Sequence, residues 1–219
     1  MGISELIAEY GGRYLESLLV TWSMTAIAFS GAFVLGVLVT VMRVCPIKPL
    51  RVVGDFYVQV FRNIPGAALL IVLAYALPYV GLLLPYYTCV VVAVILIPSA
   101  FCSENLMSGI NTIGVGQIEA ARSLGMPFAK IIGKIVIPQA LRSTVLPMTN
   151  LLILTMLTTS LASQVPLSTP DLTGLVSRIN TSAVGGIAAF AISAVLYCGT
   201  AIVIGQLGNL LDKKVRILR

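Results

Sequence analysis

A chain of 219 residues with 58% hydrophobic content, 10% charged residues and a mean hydropathy of +1.01 carries more apolar side chain than a water-soluble core of this size needs. It is expected to be an integral membrane protein, all-α in class. Histidine is absent, which removes the commonest general base and metal ligand and argues against hydrolase chemistry inside the membrane. The four cysteines, Cys45, Cys89, Cys102 and Cys198, follow no metal or redox spacing and read as free thiols among apolar residues, so no metal site is expected.

The first segment is acidic, with Glu5, Glu9 and Glu16 beside Arg13. A charge-free run over 17–42 then gives span one; it is too long, and its leader too acidic, for a secretory signal peptide. Arg43, Lys48, Arg51 and Arg62 surround the first loop. No charge occurs between Arg62 and Glu104, a stretch that suits two helices joined around Pro78 to Pro85, with spans two and three over about 62–80 and 84–106. A polar loop over about 109–141 carries Arg122, Lys130 and Lys134. Span four follows over 143–163 and span five over 183–211, with Lys213, Lys214, Arg216 and Arg219 in the tail.

Lys and Arg favour the cytoplasmic side, and here they fall in alternate loops. Five spans in a single transmembrane domain follow, with the N-terminus outside, the C-terminus cytoplasmic and the 109–141 loop cytoplasmic. The net charge of +6 is explained by this anchoring against membrane lipid, so no nucleic-acid partner is expected.

Within the loop, Gln117 to Leu124 can form a short helix ended by Gly125 and kept from continuing by Pro127. Glu119 near its start favours the helix dipole, and the small Ala120 and Ala121 would let another surface approach closely. An ordinary amphipathic helix accounts for the same spacing. The order Glu119-Ala120-Ala121, three residues, Gly125, nine residues, then Ile135-Val136-Ile137-Pro138 resembles the loop signature of ABC importer permeases, departing from it only in Ile137 for Leu. Arg62-Asn63-Ile64-Pro65, Ser108 to Ile113, Gly116-Gln117 and Pro138 to Arg142 resemble the flanks found in the polar amino-acid permeases, the group of histidine, glutamine and glutamate importers.

That resemblance implies a type I ABC importer permease fold whose cytoplasmic coupling helix inserts into a partner ATPase, with Glu119, Ala120, Ala121 and Gly125 as the coupling residues. It also implies the prokaryotic plasma membrane, a cytoplasmic ATPase dimer holding ATP and Mg, a second permease subunit, an extracytoplasmic binding protein and a polar amino acid as cargo. Glutamate or glutamine is the first expectation, from Met42-Arg43-Val44 and Ser108 to Thr112. Two departures are Met107, where many members have a basic residue, and Leu157, where they have Lys; both favour a heterodimer with a more typical second subunit. The chain itself is not expected to be an enzyme or to bind a cofactor, because Gly133-Lys134 runs into Ile135 with no upstream Gly at phosphate-loop spacing.

Candidate path residues lie in span four. Thr155, Thr159 and Ser163 recur every four residues with Thr158 beside them, which suits either a polar stripe along a path or hydroxyls bonded back to their own helix. Asn150 is costly to bury and should bond a neighbour. Arg62 and Glu104, at membrane depth near the cytoplasmic end, read as an ion pair or a gate, with Arg122 an alternative partner for Glu104. Pro65, Pro78, Pro98 and Pro147 mark possible kinks, and Gly185, Gly186, Gly199 and Gly205 read as close-packing contacts. An ATPase-independent channel or exchanger and a transport-inactive scaffold remain alternatives of other classes.

Overall fold

The structure, a computed structural model, describes residues 2–182 and 186–215. The first residues of the expected fifth span, 183–185, and Arg216 and Arg219 of the tail lie outside the described residues. Helix α1 runs Ile3–Val44, α2 Lys48–Asn63, α3 Gly66–Ile71, α4 Tyr86–Asn111, α5 Val115–Ser123, α6 Phe128–Ile131, α7 Ile137–Ser143, α8 Val145–Thr158, α9 Leu172–Ser182 and α10 Gly186–Val215. Helices α1, α4 and α10, together with α8 and the 3₁₀ turns after it to Gln164, are long and apolar enough to cross a membrane, and α2 with the segment Gly66–Val80 forms a fifth, sharply bent unit.

Helix α1 extends well beyond the charge-free run. Its 42 residues measure about 63 Å, roughly twice a hydrocarbon core. The acidic leader is helical because Leu6, Tyr10 and Tyr14 form a buried stripe against Leu172, Leu175, Val176 and Ile179 of α9 and Ala189 of α10, while Glu5, Glu9, Arg13 and Glu16 point away. The Tyr14 hydroxyl donates to the Ala189 carbonyl at 3.0 Å. At this end Asp171 caps α9, accepting from the backbone N–H groups of Thr173 (3.1 Å) and Gly174 (3.0 Å) and from the Tyr197 hydroxyl (3.3 Å). Thr21 of α1 accepts the N–H of Leu172 at 3.3 Å, and Ser193 donates to the Leu172 carbonyl at 3.1 Å. Polar bonds thus join α1, α9 and α10 into one lobe.

Between membrane helices there is little hydrophobic driving force, so close backbone approach carries the packing. The α1–α4 seam shows it: Ala28, Ala32 and Gly36 recur every four residues, and a Cβ on Gly36 would sit 2.6 Å from Cys102 Cβ and 2.9 Å from the Ser99 carbonyl oxygen. The α8–α10 seam closes at Gly208, where an added Cβ would overlap the Thr149 side chain. Of the glycines expected to make close contacts, Gly185 lies outside the described residues, a Cβ on Gly186 or Gly199 would meet nothing within 4 Å, and one on Gly205 would meet only Ile153 at 4.0 Å.

The region expected as span two is broken. Pro65 cannot donate to the α2 ladder, and α2 ends at Asn63; the chain bends by 100° before Gly66. After the bend, α3 passes through a π turn at Val72–Ala76 and a 3₁₀ turn at Leu77–Val80, closed by Gly81 at φ +84°. Arg62 and Asn63 therefore end the crosswise helix α2 instead of opening a straight span.

Candidate coupling loop and ion-pair cluster

The loop between α4 and α8 builds a projecting knob. Helix α5 ends in a Schellman arrangement: Met126 N–H bonds the Ala121 carbonyl at 3.1 Å, Gly125 N–H bonds the Arg122 carbonyl at 2.9 Å, and Gly125 stands at φ +72°. Nothing lies within 4 Å of a Cβ built on Gly125, so its need is conformational. Pro127 then starts α6. Gln139 donates to Gln117 at 2.8 Å, tying the exit of the loop back to its entrance.

The four loop residues singled out from the sequence fall on different sides. Glu119 and Ala120 are exposed. Ala121 is buried with Ile113, Ile131, Val136 and Ala140, so it seats the helix on its own chain and offers no outer surface. Glu119 does not sit in the first turn either, because α5 begins at Val115, two residues before the expected start. What the sequence reading missed is the apolar tip: Leu124, at the end of α5, is 81% exposed, and Val115 at its start and Phe128 after it are exposed too. Free-standing hydrophobics on a polar loop were the available signal.

Where α1, α2 and α4 meet on the same side of the bundle, the structure joins Arg62 to Glu104 at 3.3 Å. The sequence did not anticipate the third member. Arg43, read as an anchor and as part of the Met42-Arg43-Val44 resemblance, lies 2.8 Å from both Glu104 and Asp55 and donates to Ser103 at 3.1 Å. Thr40 donates to the same Ser103 hydroxyl at 3.1 Å, and the Arg62 guanidinium stacks over Phe101 at 5.5 Å. Arg122 is not a partner of Glu104. Arg43 is largely buried, so two carboxylates and a hydroxyl replace the water it has lost.

The span-four stripe does not hold together as one open face. Thr155 and Thr159 are fully buried and bond back to the carbonyls of Leu151 (2.7 Å) and Met156 (2.6 Å). Thr158 and Ser163 do likewise to Leu154 and Ser160. Asn150 is exposed, with no side-chain hydrogen bond among the described residues, contrary to the expectation of a bonded neighbour. It shares its open face with Leu146, Leu154 and Leu157.

These features define a class: a bundle of bent and straight membrane helices with a knob projecting from one end. The chain belongs to the family of binding-protein-dependent transport system inner membrane components, whose pattern matches residues 32–217. It is thus the permease component of an ATP-driven ABC importer, in which a separate subunit supplies ATP hydrolysis and a substrate-binding protein is a partner. Within that family it falls among the polar amino-acid permeases. It is 36% identical over 173 residues, 74% of this chain and 76% of the relative, to the glutamate transport system permease protein GluC of Corynebacterium efficiens. It is 37% identical over 150 residues, 68% of this chain and 69% of the relative, to the probable glutamine ABC transporter permease protein GlnM of Bacillus subtilis. The fold matches a crystal structure of an amino acid ABC transporter with histidines at TM-score 0.88, with 26% identity over 95% of this chain and 96% of that one. The inward-facing MetNI methionine ABC transporter matches at TM-score 0.73 with 22% identity, covering 93% of this chain and 94% of that one, which carries the type I permease fold.

Proposed function

We propose that this permease imports glutamate or glutamine, with the N-terminus outside, the C-terminus cytoplasmic and the α5 knob facing the cytoplasm. The observation that carries the cargo is the similarity to glutamate and glutamine permeases over two thirds or more of the chain. In this reading an ATPase dimer holding ATP and Mg receives the knob: Glu119, Ala120 and Leu124 form its contact surface, Ala121 seats it and Gly125 fixes its end. A substrate-binding protein delivers the amino acid at the α9 end. The open face of α8 at Asn150, Leu154 and Leu157 meets the second permease subunit along the path, since an unpaired amide is costly in hydrocarbon. Thr155, Thr159 and Ser163 then hold the wall behind the path. The Arg43, Arg62 and Glu104 cluster forms its cytoplasmic gate.

The test is to purify the chain with its ATPase and binding protein in vesicles and ask which amino acid, loaded on the binding protein, stimulates ATP turnover. Stimulation by glutamate or glutamine is expected. Stimulation by basic amino acids alone overturns the cargo, and uptake without ATP turnover overturns the coupled mechanism. Full activity with this permease as the sole membrane subunit overturns the heterodimer.

A further inference from the structure

We propose that α2 is an in-plane helix seated in the leaflet on the knob side, and that Lys48 and Arg51 hold it there by binding anionic phospholipid headgroups. Placing that leaflet on the cytoplasmic side rests on the orientation proposed above; the seating itself does not.

Three faces of α2 carry the argument. At 3.6 residues per turn its side chains sort into three sectors about a third of a turn apart. The first, Gly54, Tyr57, Val58 and Phe61, packs on the bundle: a Cβ on Gly54 would lie 2.8 Å from Arg43 and 3.3 Å from Met42, and the Tyr57 hydroxyl lies 2.6 Å from the Ser99 hydroxyl. The second, Val52, Val53, Phe56 and Val60, is apolar and uncovered, with Phe56 69% exposed. The third, Lys48, Arg51, Asp55 and Gln59, is polar and exposed.

A helix of 16 residues is about 24 Å long, too short to span, and the 100° bend at its end turns it across the direction of the following segment. Its depth is set by its contacts with Val39 to Arg43, the end of α1 where the charge-free run stops. A helix lying in an interface needs one face toward protein, one toward hydrocarbon and one toward headgroups. Helix α2 has these three.

Charge selects the occupant. Asp55 is paired with Arg43, so its charge is compensated within the chain. Lys48 and Arg51 have no carboxylate within salt-bridge distance among the described residues, which leaves the polar face basic. A second copy packed on this face by two-fold symmetry would bring its own Lys48 and Arg51 against them. Anionic headgroups complement the pair, and acyl chains complement Phe56 and the valines. Because Arg62 ends the same helix, seating α2 in the leaflet also positions the Arg62–Glu104 pair.

The test uses the full complex with its ATPase in vesicles of equal parts phosphatidylcholine and phosphatidylglycerol. A photoactivatable benzophenone amino acid replaces Phe56, or Val52 if the first variant does not assemble, and a probe at Leu38, exposed on α1, reports the bulk lipid ratio. Mass spectrometry of the adducts should show phospholipid at the α2 probe, enriched in phosphatidylglycerol over the Leu38 control. The double substitution Lys48→Gln/Arg51→Gln should erase that enrichment, by roughly five-fold per charge removed. Cross-links to a permease chain, an absence of lipid adducts, or an enrichment untouched by the double substitution would each overturn the proposal.

Discussion

Gly125 offers the sharpest test of the coupling knob, because its environment separates backbone conformation from space. At φ +72° a residue with a Cβ incurs the left-handed penalty of roughly 1–2 kcal/mol, while the open surroundings add no clash. That energy corresponds to an approximately 5–30-fold drop in the population holding the Schellman cap. Both capping bonds, from Gly125 and Met126, are lost with it, and the exposed Leu124 tip loses its fixed direction. Asn tolerates the left-handed region better than Ala, and a β-branched side chain tolerates it least. Uptake per ATP hydrolysed, measured in vesicles for Gly125→Asn, Gly125→Ala and Gly125→Val, should therefore fall in that order. If Ala instead retains coupling while the larger Asn loses it, space for the ATPase sets the requirement and the conformational argument is wrong.

Glu104→Gln leaves Arg43 with Asp55 as its one carboxylate and Arg62 with none among the described residues, and should lower the thermal stability of the purified complex by about 1–3 kcal/mol, whereas Arg122→Gln should not; equal effects would remove the cluster's structural role. Burial pushes the Asp171 carboxyl above its ordinary value of 3.8, against the lowering effect of its hydrogen bonds. Its contribution is therefore full below that value and is lost as pH rises through the folded-state value; Asp171→Asn should flatten this fall in thermal stability, and an unchanged pH slope would reject the assignment. Gly208→Val should cost about 1–3 kcal/mol by driving α10 off Thr149, with partial recovery in Gly208→Val/Thr149→Ala; no recovery would mean the strain lies elsewhere.

The sequence alone determined what depends on local chemistry. Charge-free runs mark helices that must bury their backbone in hydrocarbon, and Gly125 followed by Pro127 marks a helix stop, because both signals act within a few residues. The family signature was legible for the same reason, being a contiguous stretch from Glu119 to Pro138. Tertiary structure decided what depends on neighbours distant in sequence. The acidic leader became helix because α9 offers Leu6, Tyr10 and Tyr14 a surface, a partner no periodicity reveals. Ala121 turned inward while Ala120 stayed out, since only packing assigns the two sides of a helix turn. Arg43 joined Glu104 across 61 residues, so a residue that reads as an anchor became the centre of an ion-pair cluster. The threonines of α8 repeat at helical spacing whether they face a path or a core. Which of these they face is set by the helices packed around them, and for Thr155 and Thr159 it is the core.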